Sequence, residues 1–225
     1  MGLGGCKTKW QLLTNCDISS MVIDNLCSQA RGRNTTIACF YFDFAAKHEQ
    51  FPVGVLGSLL KQLIFGLEEI PEVISEAYRD RKNAIGGQGL QIYDILKMLQ
   101  ITSTRKRAFI CIDALDECAT EHIPKVLDSL DQLLHRSPGT RIFVTGRPHI
   151  LPEIRVRLGG GVTSISISPK SDDIITYLRS RLAADTTPDA MDSALEADIL
   201  EKILSDISEM YVEATILQNP SQVIY

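Results

Sequence analysis

The sequence predicts an α/β sandwich built on a mostly parallel sheet. Three observations carry the prediction. Short apolar runs alternate with amphipathic helical stretches, most runs are apolar throughout, and charged residues stand directly after them. Strands that are apolar on both sides belong in a sheet covered on both faces. Such sheets hold ligands beyond the carboxyl ends of their strands, where the charged residues stand.

Taken in order, Ile18–Leu26 reads as a first helix, and Thr36–Phe44 (TIACFYFDF) is β-branched and aromatic, as a buried strand should be. From Pro52 to Leu67, Val53, Leu56, Leu60, Leu63, Ile64 and Leu67 recur at helical spacing. A looser stretch from Glu68 to Gln88 contains helix formers and ends in Gly86-Gly87. Leu90–Gln100 repeats the helical pattern. The basic cluster Arg105-Lys106-Arg107 then leads into the short apolar run Ala108–Ile112. Ile123–His135 is amphipathic, with Val126, Leu127, Leu130, Leu133 and Leu134 on one face. Pro138-Gly139 turns the chain into a strand at Arg141–Thr145, and Val162–Ile167 alternates as a further strand. Ser171 is placed to cap a helix carrying Ile174, Ile175, Leu178 and Leu182. Thr187-Pro188 is expected to open a last helix, striped by Leu195, Ile199, Ile203, Ile207 and Met210.

Composition narrows the functional classes. Hydrophobic residues make up 44% of the chain, enough for a sizeable core, and the net charge of −5 argues against a nucleic-acid or anionic-membrane partner. No apolar run reaches the ~18–20 residues of a membrane span, and the first residues lack the apolar core of a signal peptide. A cytoplasmic location is expected. The six cysteines form no C-x-x-C pair and accompany no histidine cluster, so they read as small hydrophobes rather than as zinc ligands.

The chemistry concentrates in Ala108–Cys118 (AFICIDALDEC). An apolar strand delivers Asp113 at its carboxyl end, with Asp116 and Glu117 on the following loop. A lone carboxylate there suits Mg²⁺, which keeps most of its waters and takes few protein ligands. A second acid a few residues on can orient an attacking water. The pattern alone fits equally a strand followed by an acidic helix start.

Asp113-Ala114-Leu115-Asp116-Glu117-Cys118 resembles the Walker B signature of NACHT-type NTPases, and Thr145-Gly146-Arg147-Pro148 resembles the T-S/G-R-P motif that ends their next strand. Cys39–Phe44 is similar to the second strand of fungal NACHT and nephrocystin-like N-terminal NTPases. Ser168-Pro169, Ser171–Ile174 and Tyr177-Leu178 are similar to the segment after their fifth strand. The similarity runs roughly from Met21 to Met210.

This resemblance implies a P-loop NTPase three-layer sandwich at 1–168, followed by a truncated helical extension at 169–225. It implies ATP or GTP with Mg²⁺ as the ligand. Asp113 and Thr8 would hold the metal, Gly2, Gly4, Gly5, Lys7 and Thr8 the phosphates, and Asp116 or Glu117 the hydrolytic water. Arg147 would sense the terminal phosphate. It further implies a signal-transducing switch that self-associates in its ATP state, with partner proteins engaged by effector and repeat regions outside this chain.

The phosphate-binding loop departs from the pattern G-x-x-x-x-G-K-[ST]. Gly2-Leu3-Gly4-Gly5-Cys6-Lys7-Thr8 lacks a glycine before Lys7, and Lys9–Asp17 intervenes before the helix at Ile18–Leu26. That insertion reads as foreign to the domain, such as a retained intron. Losing one residue from a tight anion-binding turn re-aims every N–H after it. The strand that feeds the loop is expected to be missing from the centre of the sheet, between Arg141–Thr145 and Val162–Ile167, leaving two unpaired inner edges. Thr215–Tyr225 falls outside the resemblance. Two functions follow: a nucleotide-binding module with slow or absent hydrolysis, or an inactive remnant serving as a scaffold.

Overall fold

Three apolar runs form the parallel part of the sheet: β1 (Thr35–Tyr41), β2 (Arg107–Asp113) and β3 (Arg141–Gly146). β1 pairs with β2 from Thr35↔Arg107 to Tyr41↔Asp113, and β2 pairs with β3 from Phe109↔Arg141 to Ile112↔Val144. The structure, a computed structural model, describes residues 15–83, 89–167, 170–183, 193–207 and 212–218. The Gly2–Thr8 loop, Ser168-Pro169, Thr187-Pro188 and Met210 lie outside the described residues.

Two further strands, β4 (Val162–Ile167) and β5 (Val212–Gln218), complete the order β1-β2-β3-β5-β4. β5 runs antiparallel to β3, from Arg141↔Gln218 to Gly146↔Glu213. The sheet is therefore mixed rather than mostly parallel, and the expected gap at its centre is filled. The physical reason is the cost of leaving inner-edge N–H and C=O groups unpaired, which any chain segment of adequate β-propensity can relieve. Val212–Gln218 (VEATILQ) supplies such a segment from the region where the resemblance ends.

Helices cover both faces of the parallel strands. α1 (Asn15–Ala30) packs on β1, β2 and β3. On its side of the sheet Val22 and Leu26 border Phe109, Cys111 and Phe143. The opposite side carries α2 (Pro52–Phe65), α4 (Ile92–Arg105) and α5 (Ile123–Arg136). α3 (Glu72–Asn83) lies between α2 and α4 in the chain. Most of the helical spacing seen in the sequence turns into burial, although Val53 of the expected α2 stripe is 39% exposed. Leu56, Leu59 and Leu63 of α2, Leu99 of α4, and Val126, Leu127, Leu130 and Leu133 of α5 are all fully buried. They form one cluster with Ile110, Ile112, Ile142 and Val144 of the sheet. Each such side chain contributes about 1.5–3 kcal/mol by leaving water.

Local signals set the ends of these elements. Pro52 and Pro124 stand in the first turns of α2 and α5, where a missing N–H costs nothing. A reciprocal capping box between Gln91 and Asp94 starts α4. β1 stops at Tyr41, three residues short of the apolar run, because the Asp43 side chain accepts from Ala45 N and winds Phe44–Ala46 into a 3₁₀ turn. α6 (Leu151–Leu158), which the periodicity does not announce, packs on α5, and its Arg157 bonds Glu153 and Asp128 at 2.5 and 2.7 Å.

Residues 15–166 together with β5 belong to one compact unit, while α7 (Ser171–Ala183) and α8 (Ser193–Ile207) belong to a second. Within the second unit α7 and α8 pack on each other, and Arg179 lies 4.0 Å from Glu196 across them. Among the described residues no helix is long and apolar enough to cross a membrane.

Candidate functional site

The carboxyl ends of β2 and β3 lie side by side, so whatever follows each strand is brought together. β2 ends on Asp113, which is 1% exposed. Its Oδ1 accepts hydrogen bonds from Ser19 Oγ and Thr145 Oγ1, both at 2.5 Å. Ser19 belongs to α1 and Thr145 to β3, so three elements meet at one carboxylate oxygen. The other oxygen, Oδ2, is buried and has no hydrogen-bond partner among the described residues.

The backbone turns sharply after Asp113. Ala114 adopts φ 52° and ψ 49°, the left-handed region that a residue with a Cβ enters at a cost of roughly 1–2 kcal/mol. The turn directs Ala114 N–H to Thr145 Oγ1 at 3.1 Å. One threonine hydroxyl thus donates to Asp113 and accepts from the next residue. A non-glycine residue held in this conformation is a mark of functional and switch sites.

Asp116 and Glu117 follow in a 3₁₀ turn and have separate partners. Asp116 is nearly buried: its Oδ1 accepts from Arg147 N at 3.1 Å, and its Oδ2 lies 3.4 Å from Arg147 Nε. Arg147 itself is mostly exposed, so the ion pair carries at most about 1 kcal/mol. Gly146 makes the approach possible, because a Cβ there would stand 3.1 Å from Ile150 Cγ2 and 3.3 Å from Asp116 Oδ1. Glu117 turns the other way and accepts from Phe44 N at 3.1 Å, tying the loop after β2 to the loop after β1. Tyr41, at the end of β1, has its phenol pKa pushed up by burial, with the charges of Cys39 and Asp113 adding to the effect.

Of the residues expected to form the site, Asp113, Asp116 and Arg147 are brought together and Glu117 stands beside them. Gly2, Gly4, Gly5, Lys7 and Thr8 lie outside the described residues. Ser19 is the participant that the sequence reading missed. The available signal was its place on the helix that follows the glycine-rich segment, where a hydroxyl one turn in faces the end of β2.

The model of the nephrocystin 3 N-terminal family matches residues 17–147. The chain belongs to this family. The nephrocystin 3 N-terminal match begins inside α1, two residues before Ser19, and ends on Arg147, so every residue of the cluster just described falls within it. Searches among curated proteins and among solved structures gave no match.

Proposed function

We propose that this chain is the nucleotide-binding module of a NACHT-type signalling switch on a P-loop NTPase core, binding ATP or GTP with Mg²⁺ and hydrolysing it slowly or not at all. The observation that carries the reading is Asp113. It is a buried carboxylate at a strand end, with one oxygen held by two hydroxyls and the other unpartnered. A buried unpaired carboxylate oxygen is costly, and the hydration shell of a divalent cation relieves it. Mg²⁺, when bound, neutralises phosphate charge and polarises the outer phosphoryl group. Asp113 and the Ser19 hydroxyl are the described residues suited to hold it. Thr145 locks Asp113 in one rotamer, and Asp116 holds the Arg147 backbone, leaving an exposed guanidinium beside the site. Such a guanidinium can read a terminal phosphate.

The test is titration of the 225-residue chain with a fluorescent ATP analogue, with and without Mg²⁺. Asp113→Asn and Lys7→Ala are each expected to weaken Mg²⁺-dependent binding by about tenfold or more, equal to about 1.4 kcal/mol. A wild-type chain that is folded by circular dichroism and yet binds nothing at millimolar nucleotide would end this reading.

A specific observation supports the second reading, a scaffold without nucleotide chemistry. Asp116 and Glu117, the two acids placed to orient a water, both accept backbone hydrogen bonds, from Arg147 N and Phe44 N. Acids so engaged tie together the loops that follow β1, β2 and β3, as a scaffold requires. Nucleotide binding without measurable phosphate release separates a slow switch from an active NTPase, and absence of both leaves the scaffold.

A further inference from the structure

The opposite end of the parallel strands carries a second charged feature that the nucleotide reading leaves unused. At the amino ends of β1 and β2 lies a cleft of about 530 Å³, lined by Arg33 from the loop before β1, Arg105 from the end of α4, and Lys106 and Arg107 at the start of β2. A cavity of this size accommodates a small ligand. No carboxylate is among its lining residues. In a chain whose net charge is −5, this is a concentrated local reversal of sign.

The backbone segments that carry the cations are tied together. Asn34 Nδ2 donates to the carbonyl of Arg105 at 3.3 Å, and Arg107 N donates to the carbonyl of Asn34 at 3.1 Å. Arg33 is thereby fixed beside the end of α4. Lys106 is already engaged, its Nζ lying 3.2 Å from the Gly66 carbonyl and 4.0 Å from Glu68. The charge available to a ligand therefore rests on the three arginines. Their ordinary structural role would be to offset the C-termini of α4 and α5, which open on the cleft. Each terminus carries about half a negative charge, so both together offset about one of the three positive charges. Roughly two remain.

Ser137, which ends α5, contributes to the wall of the cleft, but its Oγ is buried beneath the surface and takes no part in an anion contact. The guanidiniums form planar forks that match the oxygens of a phosphate bidentately.

We propose that this cleft binds a multiply charged phosphate anion, either a free polyphosphate or the phosphorylated headgroup of a lipid. The site is separate from the candidate nucleotide site and stands or falls independently of it.

The experiment is isothermal titration of the full chain with inorganic tripolyphosphate at fixed ionic strength and in EDTA, which silences the Mg²⁺-dependent site, comparing wild type, the triple variant Arg33→Gln/Arg105→Gln/Arg107→Gln, Ser137→Ala and Asp113→Asn. The expected result is a loss of at least about tenfold in the triple variant, and no change in Ser137→Ala or Asp113→Asn. The arginines sit at the rim, and unchanged thermal unfolding of the triple variant shows that the loss is one of binding. Arg105→Lys/Arg107→Lys, which keeps charge but loses the forks, is expected to fall between wild type and the triple variant. Flotation with phosphatidylcholine vesicles, with and without a phosphatidylinositol bisphosphate, separates the sources: selective flotation competed by tripolyphosphate assigns the lipid headgroup, and its absence assigns the free anion. The proposal is overturned by no binding to wild type, by binding that Asp113→Asn abolishes and the triple variant retains, or by equal displacement with chloride.

Discussion

The two ends of the parallel strands are built on opposite principles. At the carboxyl end each acid is committed, Asp113 through one oxygen to Ser19 and Thr145, Asp116 to Arg147 and Glu117 to Phe44, with the Arg147 guanidinium exposed beside them. At the amino end the charged groups are arginines that gather around open space. The carboxyl end draws its geometry from side chains reaching across strands, whereas the amino end draws its own from backbone stitches through Asn34. Removing a side chain should therefore disturb folding at the first end and only ligand binding at the second.

The strongest test of that difference is Thr145→Val. It deletes the hydroxyl that donates to Asp113 and accepts from Ala114 N–H, stranding that buried N–H at about 1–3 kcal/mol and removing one of the two hydrogen bonds to Asp113 Oδ1, worth about 1 kcal/mol. Urea unfolding should show a loss of about 2–4 kcal/mol, with tripolyphosphate binding at the other end unchanged. A loss under about 0.5 kcal/mol would mean that the acid end is no more committed than the basic one. Gly146→Ala comes next. Its new Cβ would press on Ile150 and Asp116, an overpacking cost of about 1–3 kcal/mol. Arg147→Gln removes only the exposed member of an ion pair, so stability should move by no more than about 1 kcal/mol, while the nucleotide binding proposed above, read separately, should weaken.

The last effect is nil at neutral pH. Burial in the middle of β2 raises the Cys111 thiol from 9.0 to about 12, with the charges of Cys39 and Cys27 adding to it. A folded-state pKa above the unfolded value means that the folded state holds its proton longer. Its contribution is therefore complete below pH 9.0 and is lost as pH rises toward 12. Alkaline unfolding of Cys111→Ala should show a shallower decline across that window. At pH 8, iodoacetamide should label exposed Cys27 while sparing Cys111 and Cys118, as read by mass spectrometry.

How much of this was legible in the sequence follows the range of the interactions involved. β1, β2 and β3 were legible because short apolar runs have few other places to go, and α2, α4 and α5 because their leucines keep helical spacing. Asp113 was legible because strand ends are where parallel sheets present chemistry. α6 was not, since eight residues with Pro152 at the start leave too few turns for a period to register. Ser19 was not, because a hydroxyl on an exposed-looking helix gains meaning only when Asp113 and Thr145 arrive from distant positions. The amino-end cleft was half legible: Arg105-Lys106-Arg107 stands out as a cluster, but Arg33 and Ser137 join it only through the topology.

The position of β5 has a consequence for the order of events during synthesis. The strand that completes the centre of the sheet is made after β1 to β4 and after both helices of the second unit. Until Val212–Gln218 leaves the ribosome, the inner edges of β3 and β4 have no partner, and the pairing that closes them joins residues as far apart as Arg141 and Gln218. Closure of so long a loop is slow, and an open inner edge is what chaperones hold and other chains invade. A nascent chain arrested before Val212 should be retained by chaperones, and one released after Gln218 should not.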